Sequence, residues 1–123
     1  MSSFSMQESK CGGVTSLELH GYLSTEAVCS FEAKVLELLR ARKIFLVFDF
    51  SHNTLIASPG IASLIELVVK IQEEFLGKVT FAGLDSIKQK TFTMAGLLPS
   101  IPIAPTADLA ADIIRPVASP RQP

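Results

Sequence analysis

Histidine and cysteine, the residues that most often carry nucleophilic or metal chemistry, occur only twice each in 123 residues. Cys11 and Cys29 are too few for a disulfide framework and have no metal-ligand spacing, so no metal site is expected and both read as free thiols. Cys29 falls within a predicted helix and reads as a small packing residue, whereas Cys11 sits in a turn. Charge is scarce as well. Charged residues make up 19% of the chain and the formal net charge is -1, which gives nucleic acid no basic surface to bind. No apolar run reaches the roughly 20 residues that span a bilayer, because Asp49, Glu66 and Lys70 interrupt the longest ones. The opening Met1-Ser2-Ser3-Phe4-Ser5-Met6 lacks the basic start and apolar core of a secretory signal, so the expectation is a cytoplasmic protein. A glycine-rich phosphate loop is missing too: Gly77-Lys78 has no preceding P-loop spacing, and no cofactor is expected.

What the chain does have is apolar residues, 48% of the total, enough for one compact domain with a real core. Phe4 and Met6 alternate with polar residues, Cys11-Gly12-Gly13 supplies turn chemistry, and Val14 to His20 resumes strand character, which predicts an opening β-hairpin. Ser24 or Thr25 is placed to cap a helix whose stripe is Val28, Phe31, Val35, Leu38 and Leu39, ending near 40–43. Residues 44–50, Ile-Phe-Leu-Val-Phe-Asp-Phe, are too apolar for a half-solvated strand and read as a central strand covered on both faces. A turn at Ser51-His52-Asn53 is expected next. Ile61, Leu64, Ile65, Val68, Ile71 and Phe75 then recur at helical spacing up to a stop at Gly77. A strand over 78–83, a helix capped by Asp85 or Ser86, a short strand near 101–103 and a last helix from about Thr106 complete the order ββαβαβαβα. That order implies an α/β fold: a mostly parallel sheet with an antiparallel hairpin at one edge, packed with about four helices, over residues 1–114. The proline-rich segment 115–123 reads as a mobile tail.

Between the central strand and the long helix lies Leu55-Ile56-Ala57-Ser58-Pro59-Gly60-Ile61. Ser58 is expected at the helix N-cap, with Pro59 at the first helical position, a cap contributing about 1 kcal/mol. A hydrolase nucleophile is the sharper alternative. The elbow pattern G-x-S-x-G, however, has Ile56 in place of its first glycine, and both His20 and His52 precede the serine instead of following it. A phosphorylation site needs no catalytic machinery in the chain, because a phosphate at a helix N-terminus meets free N–H groups and the positive end of the macrodipole. Asp49 reads as a strand-end carboxylate bonded to a loop, and Lys88 and Lys90 as a solvated helix face.

These residues, in this order, resemble the STAS domain, in particular bacterial anti-sigma factor antagonists. Gly21-Tyr22-Leu23 is similar to the family's G-x-L-D, residues 46–51 (Leu-Val-Phe-Asp-Phe-Ser) to its L-x-L-D-L-S strand, and Ile56-Ala57-Ser58-Pro59-Gly60 to its I-D-S-S-G loop. Gly77 to Gly83 and Ala95-Gly96-Leu97 fall where the family has a strand and a helix-ending glycine. The resemblance implies a non-enzymatic, protein-binding regulator of transcription. Its partner would be an anti-sigma factor that is also a serine kinase, its phosphorylated residue Ser58, and its docking surface Ser24, Ala57, Ser58, Pro59, Gly60 and Ile61. Three positions depart from the pattern: Ala57 replaces the aspartate before the serine, Pro59 the hydroxyl residue after it, and Ser24 the aspartate of G-x-L-D. A STAS adaptor that is never phosphorylated, working in a signalling or transport assembly, and a small-ligand sensor at the strand ends are the competing expectations.

Overall fold

The computed structural model of the chain describes residues 3–116, so the tail expected over 115–123 lies, from 117 on, outside the described residues. Phe4–Cys11 (β1) and Val14–Leu23 (β2) form the antiparallel hairpin, turning at Gly12 and Gly13, both at positive φ. The chain continues through Val28–Arg40 (α1), Phe45–Ile56 (β3), Ser58–Val69 (α2), Lys78–Ala82 (β4), Ser86–Met94 (α3), Ile103–Ala104 (β5) and Ala107–Ile114 (α4). This is the expected ββαβαβαβα order. The sheet runs β1-β2-β3-β4-β5, and every pairing after the hairpin is parallel.

Because the strand order never reverses, right-handed crossovers all return on the same side of the sheet. Residues of α1, α2 and α3 accordingly share one large core with Leu17, Leu19, Leu46, Phe48, Phe50 and Phe81. The last helix is left to cover the opposite face, where Ala110, Ala111 and Ile114 meet Val14, Val47 and Ala82. The same unreversed order removes the crevice that doubly wound sheets offer to ligands at a topological switch point, which weakens the small-ligand reading.

Several local expectations change. α1 begins at Val28, with Ala27 at its N-cap; Ser24 instead accepts the Ala27 amide at 3.3 Å in the turn before it. Its buried stripe is the expected one, Val28, Phe31, Val35, Leu38 and Leu39, but Cys29 is exposed rather than packed. The expected turn at Ser51-His52-Asn53 is strand: β3 continues to Ile56 beside β2, through two register shifts. Pairing with β2 holds polar residues extended that would otherwise turn. Asn53 is buried there and donates to the carbonyls of Gly21 (2.7 Å) and Leu55 (3.2 Å). Asp49 therefore lies inside the strand, where it accepts the Ser51 amide at 3.0 Å and the Ser51 hydroxyl at 2.8 Å.

The long helix ends through a π-helical turn, Lys70–Glu74. Leu76, not Gly77, takes the left-handed conformation (φ 55°), while the Gly77 amide closes back on the Ile71 carbonyl at 2.8 Å, one residue further than a Schellman closure, in keeping with the π-helical turn before it. Glycine is required at 77 for space, since a Cβ there would collide with the Ile44 carbonyl. β5 is two residues long, between Pro102 and Pro105.

Candidate functional site

β3 delivers the chain to the start of α2, where Ala57 is in extended conformation (φ -71°, ψ 157°) and is itself the N-cap. The helix thus begins one residue earlier than the sequence suggests, with Ser58 first and Pro59 second. The expected capping role of Ser58 is overturned: the cap position has no side-chain hydrogen bond, and Ser58 stands exposed. Backbone hydrogen bonds tie the loop down. Ala57 N–H donates to the Leu23 carbonyl at 2.9 Å, and the Ala57 carbonyl receives Gly60 N–H at 2.8 Å and Ile61 N–H at 3.2 Å.

Of the residues expected to meet a partner, Ser58 and Pro59 are exposed, Ser24, Ala57 and Ile61 are half-buried, and Gly60 is buried. Gly60 has a packing reason to be glycine, because a Cβ would press on Ile56 Cγ2 at 2.8 Å and Leu23 Cδ2 at 3.2 Å. It allows the first turn of α2 to sit on the ends of β2 and β3. Pro59 supplies no amide proton and the Gly60 amide is turned to Ala57, so a group attached to Ser58 would find at most the Ser58 amide at this helix start.

Beside the loop, the end of β3, the start of α2 and α3 enclose a cleft of about 140 Å³ lined by residues that include Leu55, Ile56, Ile61, Ile87, Lys88 and Phe92. Two of its apolar walls face solvent, Leu55 at 60% and Ile87 at 73% exposure. Lys88, expected on a solvated face, is buried. Its ammonium donates to the Asn53 carbonyl at 2.9 Å and to Asp85 Oδ2 at 3.3 Å, strapping α3 to the irregular end of β3. Asp85 also caps α3 through the Lys88 amide at 2.8 Å; that amide first, and then the ammonium, hold its carboxyl below the usual carboxylate value. A sequence signal for Lys88 existed: it lies one helical turn before Phe92, the buried aromatic of the same helix.

The STAS domain family matches residues 6–110, and the chain belongs to that family. No curated protein matches the sequence. Among solved structures, an anti-sigma factor antagonist from Mycobacterium paratuberculosis superposes with a TM-score of 0.81 at 19% identity, covering 93% of this chain and 96% of that one. SpoIIAA, the Bacillus cell fate determinant, in its phosphorylated form gives 0.71 at 19% identity, covering 92% and 100%. The murine anion transporter Slc26a9 gives 0.71 at 15% identity, covering 86% of this chain but 18% of the transporter. At these identities the likeness is one of fold, a fold that is typically non-catalytic and that occurs in both regulators and transporters. No helix among the described residues is long and apolar enough to cross a membrane.

Proposed function

We propose that the chain is a protein-binding regulator of the anti-sigma factor antagonist type, docking on an anti-sigma factor that is also a serine kinase and switched by phosphorylation of Ser58. The observation that carries the reading is the exposed Ser58 hydroxyl, placed first in α2 and left unused by the fold that presents it. A hydroxyl free of capping can be modified without unfolding the helix start. Around it, exposed Pro59, Leu55 and Ile87 offer an apolar rim of the kind that becomes the buried centre of an interface. Addition of close to two negative charges at that rim would oppose docking by desolvation cost. No group in this chain needs to perform chemistry; the phosphoryl donor is ATP and the catalyst is the partner.

The test is incubation with the cognate kinase and ATP, with the modified residue located by mass spectrometry. Phosphate at Ser58, a complex that survives Ser58→Ala, and its loss with Ser58→Asp are the expected results; a kinase that binds but leaves Ser58 unmodified overturns the switch. One observation favours a second reading, a constitutive STAS adaptor: Pro59 and Ala57 leave a phosphate few amides and no acidic neighbour for a kinase to read. For an adaptor, Ser58→Ala and Ser58→Asp bind the partner equally.

A further inference from the structure

The face of the sheet that α4 covers only in part carries Glu18, His20 and His52 together. Glu18 and His20 project from the same face of β2, two residues apart. In register, Glu18 lies opposite Asp49 and His20 opposite His52, so β3 advances three residues where β2 advances two. Without that extra residue Ser51 would stand across from His20. With it the two imidazoles stack, ring centroids 4.8 Å apart and planes within 11°. Glu18 Oε1 lies 2.7 Å from His20 Nε2, and the three side chains offer ligand atoms all within 4.8 Å of one another.

A second feature bears on the same place. The single hydroxyl proton of Ser51 is donated to Asp49 at 2.8 Å, so the 3.3 Å contact between Ser51 Oγ and His52 Nδ1 has the imidazole as donor. A neutral His52 that donates from Nδ1 in this contact keeps its lone pair on Nε2. An Asp–Ser relay behind a histidine is the kind of outer support that orients a metal-ligating ring.

We propose that Glu18, His20 and His52 form a binding site for a divalent transition-metal ion, of which Zn²⁺ is the representative. Two imidazoles and one carboxylate suit zinc, cobalt, nickel or copper and not the oxygen-seeking magnesium or calcium, and three protein ligands leave a position for solvent. Coordination through His20 Nε2 replaces its hydrogen bond to Glu18: the proton of the neutral ring is then carried on Nδ1, and a second ring proton, where present, leaves to solvent. Metal–ligand bonds near 2.1 Å put tetrahedral ligand atoms about 3.4 Å apart, so the 2.7 Å Glu18–His20 contact opens and the stacked rings turn until their lone pairs converge, a movement that the exposed His52 side chain can supply. The bound ion would join β2 to β3 where their register is irregular, just upstream of the Ser58 loop.

The full-length chain carrying Cys11→Ser and Cys29→Ser, which removes two exposed thiols, is titrated with Zn²⁺ by calorimetry and by NMR of the histidine ring nitrogens. One equivalent of saturable binding is expected, with the His20 and His52 ring signals shifting together. His52→Ala abolishes that binding, Glu18→Gln weakens it, and Ser51→Ala weakens it about tenfold. Absence of saturable binding, ring signals that do not move, or affinity unchanged in His52→Ala overturns the proposal; the ring signals are read on a protein in which all three ligands are intact.

Discussion

The two faces of the sheet are built to different standards. On the side of α1, α2 and α3, five phenylalanines interlock: Phe31 on Phe48 (5.8 Å between centroids), Phe48 on Phe81 (6.1 Å), and Phe50, Phe81 and Phe92 in mutual contact at 5.3–5.4 Å. On the other side α4 lies on Val14, Val47 and Ala82 through Ala110, Ala111 and Ile114, with Thr80 Oγ donating to the Ala110 carbonyl at 3.1 Å. Small residues let that helix approach closely, but they bury little area. The difference teaches where this chain keeps its stability and where it has room for polar groups: unreversed crossovers load one face with three helices and leave part of the other face open.

The comparison breaks if the two faces respond alike to truncation. Phe81→Ala is expected to cost about 3–5 kcal/mol in urea unfolding, the larger effect, and Ile114→Ala about 2 kcal/mol, near the low end for such a change because little of the surrounding side is packed. Between the faces, at the irregular end of β3, Lys88→Met keeps the apolar stem but leaves the Asn53 carbonyl without its ammonium. A loss of about 1–3 kcal/mol is expected, with earlier amide exchange in α3 than in α1.

The smallest effect lies at the surface, where Glu8 of β1 accepts from Lys34 of α1 (2.9 Å) and from Lys43 (3.2 Å). The hydrogen bond from Lys34, then that from Lys43, lowers the Glu8 pKa below its ordinary value. Its contribution is therefore complete above the unfolded carboxylate range and disappears as pH falls through the lower folded value. Glu8→Gln should flatten the acid limb of the stability profile slightly, with wild type and variant converging at the acid end; added salt should narrow the gap at neutral pH.

Much of the frame was legible from pattern alone. The hairpin, the α1 stripe, the apolar half of β3 and the order of strands and helices follow from periodicity and turn residues, because local chemistry and tertiary demand agree there. The misreadings gather where a neighbour decides. Ser51, His52 and Asn53 have turn composition, yet β2 offers them a ladder and the extra residues are absorbed as bulges. Ser58 has the chemistry of a cap, but Gly60 must sit against Leu23 and Ile56, which starts the helix at Ser58 and leaves Ala57 in the cap position. In α4 the large Leu109 and Ile113 are half exposed, while the small Ala110 and Ala111 lie against the sheet with Ile114. The cleft beside Ser58 depends on Lys88, whose charge spoke for solvent and whose position spoke for the interior.

The shortness of β5 decides how the sheet can grow. Pro102 and Pro105 withhold their amides on either side of its two residues, so a further strand finds almost no template there. β1, eight residues long, stands at the other edge and among the described residues pairs only with β2, and its charged Glu8 and Lys10 guard it against indiscriminate pairing. Any extension of the sheet, by another segment or a second copy, is thereby directed to the hairpin side, and the aggregation hazard of this molecule is concentrated on a single margin.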